Sequence, residues 1–167
     1  MKLTDKRSSA AASELAKQLG KRNAFDLIEE ELFVSLVRTT DLLSRGFVDL
    51  FQQYNLSGPL YNALRIVNGE SQVSEYGVTV GTIAGRMVCR NPDTTRLVDR
   101  LEKLGYVKCV TCSEDARRRL VQMTEKGREV LKALHRPVRA LHRKQFGSLD
   151  TESQQQLLGL LSRLRGE

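Results

Sequence analysis

Three sets of residues in this chain have types and spacings that chemistry uses: the cysteines, the histidines and a run of arginines. Cys109 and Cys112 form a Cys-x-x-Cys pair, the spacing of dithiol redox centres, whose reactive thiol sits at a helix N-terminus. Here the pair falls in an alternating run, "YVKCVTC", where residues three apart point to opposite faces of a strand. Cys89 makes the total three, an odd number, and residues 1 to 23 contain no signal-peptide apolar core. The thiols are therefore expected to be reduced rather than built into a disulfide framework. A thiol- or metal-responsive sensor using Cys89, Cys109 and Cys112 stays open as an alternative. His135 and His142 lie seven residues apart, two helical turns, too far to grip one metal without further ligands. No Gly-rich phosphate loop, nucleophile elbow or paired-carboxylate motif occurs, so neither an enzyme nor a cofactor is expected.

The arginine run reads "SEDARRRLVQMT" over residues 113–124. Charge runs are ordinarily solvated faces, but this one sits between two segments of period two, "YVKCV" and "RLVQM". It therefore falls at the tip of a β-hairpin, around Ser113 to Arg117. An arginine carried on a protruding ribbon can enter a DNA minor groove, where narrow A·T-rich sequence concentrates negative potential. Asp115, two residues before Arg117, is placed to orient that guanidinium through paired hydrogen bonds. Arg118 is placed for a flanking phosphate, and Arg119 opens the strand in a structural or solvent-facing role.

The elements that position this hairpin precede it. In "RNPDTTRLVDRLEKLGYV", Asn91 suits an N-cap, Pro92 the first helical position and Asp93 the positive end of the helix dipole. Leu97, Leu101 and Leu104 give a narrow buried stripe, and Gly105 ends the helix. Thr94, Thr95, Arg96, Arg100 and Lys103 are left on the other faces. Before it, Thr79 caps a short helix, "VGTIAGRMV", in which Gly85 leaves room for a neighbouring helix. Two short helices joined by a turn form a helix-turn-helix, and a hairpin directly after the second is a wing. Upstream, Ser57 and Pro59 open a helix over "LSGPLYNALRIV", with Leu60, Leu64 and Val67 on one face, followed by a turn-rich loop. Phe25 to Tyr54 mark an amphipathic helix of about thirty residues, long enough for part of its apolar stripe to face a partner chain. Thr124 caps a long helix that Pro137 is expected to kink. Asp150 caps a last one whose Leu157, Leu158, Leu160, Leu161 and Leu164 are too many to stay exposed.

The chain has 167 residues and a net charge of +7, a size for one compact domain with additional helices. Its basic excess is local: fifteen Lys/Arg face seven Asp/Glu between Arg86 and Arg143, against five and eight between Lys21 and Glu75. A basic block suggests a polyanion partner, although the balance alone fits a basic protein without one. No apolar run reaches membrane-spanning length, and a cytoplasmic location with no membrane partner is expected.

Several of these segments, taken in order, resemble the MarR-type winged helix-turn-helix transcriptional regulators. "LSGPLYNALRIV" resembles the helix that follows the family's first long helix. "PDTTRLVDRLEKLGYV" is similar to its recognition helix and the turn into the wing. Asp115-x-Arg117 matches the wing signature, and "VQMTEKGREVL" matches the end of the wing and the next helix. The resemblance covers about residues 24 to 165. It implies a mainly α fold with a small β-hairpin wing: a flexible arm over 1–23, a winged-helix lobe over about 56–123, and dimerisation helices over about 24–54 and 124–165. It further implies a homodimeric repressor bound to double-stranded DNA at a palindromic operator, released by a small aromatic or other small-molecule effector. The expected DNA-facing residues are Pro92, Asp93, Thr94, Thr95, Arg96 and Arg100 on the helix, and Asp115, Arg117 and Arg118 on the wing. Lys108 and Cys109 stand where the family often has Arg or Glu-Arg, which removes one phosphate contact. No cysteine occupies the first long helix, where the peroxide-sensing branch carries one. A winged helix used for protein binding is the remaining alternative.

Overall fold

The computed structural model describes residues 13–73, 76–90, 93–111 and 119–167. They pack as two units, one ending at Ser44 and the other beginning at Arg45.

The first unit holds α1 (Glu14–Gln18) and most of α2 (Ile28–Arg45). Ser13 caps α1 by accepting a hydrogen bond from the Ala16 amide at 3.2 Å. Part of the stretch expected to be a frayed arm is thus a helical turn; residues 1–12 lie outside the described residues. α2 opens with Glu29, Glu30 and Glu31, anions at the positive end of the helix dipole. No residue of α2 is buried, and Leu32, Phe33 and Val37 are all more than half exposed.

The expected thirty-residue helix is interrupted. α2 stops at Arg45 and α3 (Val48–Gln52) follows in the second unit. Gly46 is the cause, as a poor helix former and as a contact point. A Cβ there would lie 3.0 Å from the Gln145 amide nitrogen and 3.3 Å from Leu141. The break turns Phe47 onto Phe51 and His142, with ring centroids 5.6 and 5.0 Å away.

The second unit continues with α4 (Gly58–Glu70), β1 (Val78–Thr79), α5 (Val80–Arg86) and α6 (Thr94–Lys103). Then come β2 (Val107–Thr111), β3 (Arg119–Met123), α7 (Glu125–Phe146) and α8 (Thr151–Arg165). The sheet is antiparallel in the order β1-β3-β2, and Val107 pairs with Met123, Cys109 with Val121 and Thr111 with Arg119. β1 lies in a segment that the sequence reads as loop and cap. It is seated by Gly77, whose φ is +99° and whose absent Cβ would lie 2.7 Å from the Val121 carbonyl oxygen.

One apolar cluster joins these elements. Leu60, Ala63, Leu64 and Val67 of α4 meet Ile83, Val98, Leu101, Val121 and Leu134, and removing this surface from water supplies most of the folding drive. The close approach is at Gly127 and not at Gly85, which has nothing within 4 Å of its Cβ position. Thr124 caps α7 as expected: its hydroxyl accepts from the Gly127 amide at 3.1 Å and donates to the carbonyls of Gly105 and Tyr106. α7 runs on through Pro137 to Phe146, where the sequence suggested a kink. Asp150 caps α8 through the Ser153 amide at 2.8 Å, and Leu158, Leu160 and Leu164 are exposed on it. Among the described residues no helix is long and apolar enough to cross a membrane.

Candidate nucleic-acid interface

The helix pair α5 and α6 is fixed from three directions. Thr79 caps α5 by accepting from the Thr82 amide at 3.1 Å. An ion pair between Arg86 and Glu70 joins the ends of α5 and α4. In the connection between α5 and α6, the Val88 amide donates to the Asn62 side-chain oxygen at 2.9 Å. Sequence reasoning did not single out Asn62, because an asparagine in a helix carries no signal of a partner 26 residues away.

Asn91 and Pro92, expected as cap and first helical residue, lie outside the described residues. α6 starts at Thr94 with Asp93 as its N-cap. The Asp93 carboxylate makes no capping hydrogen bond and sits 3.6 Å from Arg96, both side chains largely in solvent. The buried face differs from the leucine stripe read from the sequence. Thr94, Val98 and Leu101 are buried, with Leu97 and Leu104 only partly so. Spacings of four and three put these three on the side of α6 that packs on α4 and α5. Thr94, expected to face DNA, therefore turns inward at 3% exposure. Thr95, Arg96, Arg100 and Lys103 are exposed.

Beside α6 stands the hairpin of β2 and β3. Its connecting segment, with Cys112, Asp115, Arg117 and Arg118, lies outside the described residues. At its base Arg119 reaches back to α6: one guanidinium nitrogen is 2.6 Å from Asp99 Oδ1 and another 2.6 Å from Glu102 Oε2. The other oxygen of Glu102 accepts from the Cys109 backbone amide at 2.7 Å. One carboxylate thus holds both strands of the hairpin. The Cys109 amide bond, together with Arg119, lowers the Glu102 pKa below its ordinary value, and bonding to Asp99 raises that of Arg119. Asp99 and Glu102 had no assigned role in the sequence reading; their spacing of three on a polar face was the available signal. Arg119, expected to be structural or solvent-facing, is a half-exposed cross-link.

The sensor residues behave differently from one another. Cys109 is half-buried, and burial pushes its thiol pKa up, away from the thiolate that reactivity requires. Cys89 is exposed on the connection between α5 and α6. His142 packs on Phe47, while His135 lies with Arg136, Arg139 and Arg143 around a shallow depression on α7. Among the described residues, no group of three His, Cys, Asp or Glu is placed to hold a metal ion.

No family model matches the chain. It is 32% identical over 135 residues to the transcriptional activatory protein BadR of Rhodopseudomonas palustris, spanning 78% of this chain and 76% of that protein. The crystal structure of a MarR transcription factor from Planctomyces limnophilus is 34% identical, covering 83% of this chain and 98% of its own, with a TM-score of 0.63. The MepR–DNA complex of S. aureus shares the fold at 17% identity, with a TM-score of 0.70 over 82% of this chain and 96% of that one.

Proposed function

The chain belongs to the MarR family of transcription regulators, and on that basis we propose that it binds an operator in double-stranded DNA as a homodimer. The observation that carries this reading is the charge arrangement of α6. Its two outward carboxylates, Asp99 and Glu102, are bound to Arg119, whereas Arg96, Arg100 and Lys103 remain exposed. A helix that keeps three cations in solvent while its acids are turned to Arg119 suits a major groove flanked by phosphates. In this reading Thr95, Arg96 and Arg100 meet base edges and phosphates, with Pro92 and Asp93 at the entry of the helix. Arg117, oriented by Asp115, enters the adjacent minor groove, and Arg118 meets a phosphate. Thr94 contributes through its place in the core.

A dimer follows from the apolar residues left exposed on α2 and, separately, on α8; patches of this kind mark association surfaces. Two-fold symmetry of the protein then calls for a palindromic site with half-sites about one helical turn apart. Selection from a random duplex pool, followed by fluorescence anisotropy at two salt concentrations, tests the reading. Enrichment of an inverted repeat with salt-sensitive affinity is expected. Recovery of no sequence, with affinity indifferent to salt, would refute it in favour of a winged helix that binds protein. The sequence reading expects repression, whereas BadR is named an activatory protein; a promoter fusion with and without the regulator decides the direction.

A further inference from the structure

The hairpin is a two-stranded element, of a kind marginally stable when isolated. Val107, Val121 and Met123 seat its base in the core beside Val98 and Leu101 of α6, and the polar tie to α6 is made by the three side chains Arg119, Asp99 and Glu102. The contacts are short and forked: 2.6 Å to each carboxylate, with the Cys109 amide 2.7 Å from the second oxygen of Glu102. All three side chains are about 40% exposed. Ion pairs this wet add little to stability, yet a planar guanidinium shared between two carboxylates is strongly directional. The set also carries one net negative charge, since two carboxylates surround one guanidinium. That disqualifies Arg119 as a phosphate contact.

We propose that the Arg119–Asp99–Glu102 set fixes the wing relative to the recognition helix, so that both reach their grooves without rearrangement, and that Arg119 is a positioning residue. This rests on the DNA-binding reading above. Glu102 is the pivot, because it alone holds β2 through a backbone amide and β3 through Arg119. Asp99, one turn earlier, sets the angle of the guanidinium. The effect on binding is one of preorganisation: a loosened wing must be ordered when DNA binds, and that ordering weakens the complex without removing a phosphate contact.

The test uses the full-length protein, its selected duplex, and the variants Arg119→Lys, Arg119→Gln and the double change Asp99→Asn/Glu102→Gln. Lysine keeps the charge but loses the fork. Arg119→Lys is expected to bind about tenfold more weakly with an unchanged salt slope, in the range of coupling seen within one network. The double change removes two negative charges beside DNA, so plain electrostatics calls for tighter binding, whereas positioning calls for weaker binding. Amide exchange at Cys109, measured on the free protein, is expected to quicken in Arg119→Gln and in the double variant while the melting temperature barely moves. Wild-type affinity in Arg119→Lys, tighter binding by the double variant, or unaltered exchange at Cys109 would each overturn the proposal. So would a salt slope lowered by about one in Arg119→Gln, the mark of a direct phosphate contact. If the wild type binds no duplex even at low salt, it is the DNA-binding reading that fails, and the exchange result then reports on the clamp alone.

Discussion

Replacing Gly127 with alanine should destabilise the winged-helix unit, although alanine is the better helix former. Gly127 sits in the first turn of α7, where the end of α6, the base of the wing and α7 converge. An added Cβ would lie 2.2 Å from the Tyr106 carbonyl oxygen and 2.6 Å from the Met123 sulfur. The sulfur can swing aside, but the carbonyl must retreat by about 1 Å to restore ordinary contact. That carbonyl accepts from the Thr124 amide at 3.2 Å and from the Thr124 hydroxyl at 2.9 Å. Tyr106 is itself held by its hydroxyl on the Tyr54 carbonyl at 2.8 Å. Losing or stretching two hydrogen bonds costs about 1 kcal/mol each, and overpacking a closed site about 1–3 kcal/mol more. Against this, Gly→Ala returns at most about 1 kcal/mol of helix propensity. The net loss is about 2–4 kcal/mol, a melting temperature lower by about 5–15 °C for a chain of this size. Scanning calorimetry at matched protein concentration measures it, because the melting point of an associating protein depends on concentration. An unchanged or higher melting temperature would show that the contact relaxes freely and that the reasoning is wrong.

Five further outcomes are expected. Arg96→Ala should weaken operator binding by about 1–3 kcal/mol if the arginine reads a base, and Asp115→Ala should also weaken it, although removing an acid raises the positive charge; tighter binding by Asp115→Ala in anisotropy titrations would reduce the wing run to a solvated charge cluster. Leu32→Glu on α2 or Leu160→Glu on α8 should convert the proposed dimer to a species of 18.8 kDa in light scattering, and a dimer mass retained by both variants would move the interface elsewhere. Iodoacetamide should label Cys89 well before Cys109, because Cys89 is exposed while burial raises the Cys109 pKa; equal rates by mass spectrometry would reopen the thiol-sensor alternative. Glu102 has a folded pKa below its ordinary value of 4.5, so its contribution to stability is present above that value and drains as pH falls through the lower folded pKa. Glu102→Gln should flatten the acid limb of the stability–pH curve below about pH 4.5, and an identical limb would remove Glu102 from the network.

What was legible in the sequence is what short-range chemistry dictates. Thr79, Thr124 and Asp150 cap their helices as expected, because a cap needs only an oxygen two or three residues ahead of an amide. The hairpin was legible from its period of two, and its two strands pair in register. The departures lie where a residue's role depends on something distant. A single glycine is a weak local signal for the end of α2; what Gly46 packs against, Leu141 and Gln145, lies nearly a hundred residues on. Thr94 lies off the leucine stripe of Leu97, Leu101 and Leu104 and so reads as outward, yet helical spacing puts it in line with Val98 and Leu101. β1 is two residues long, too short for a period, and exists because β3 has a free edge to pair.

The same distinction explains the interface itself. The cations of α6 and of the arginine run are local facts, and both were read directly. Their arrangement is not local. In isolation Asp99 and Glu102 would place two repelling carboxylates on the helix proposed to approach phosphates, and the sequence offers no reason for them. Once Arg119 is seen between them, those acids become the means by which the wing is held. Arg119 does not replace the phosphate contact missing at Lys108 and Cys109: its guanidinium is taken up by Asp99 and Glu102, and Glu102 binds the Cys109 amide as well. A charge run of three arginines is therefore not one feature but two. In the proposed reading Arg117 and Arg118 meet DNA, whereas Arg119, bound to Asp99 and Glu102, holds the base of the hairpin. Arg119 opens β3, where each side chain's direction is set by the strand ladder.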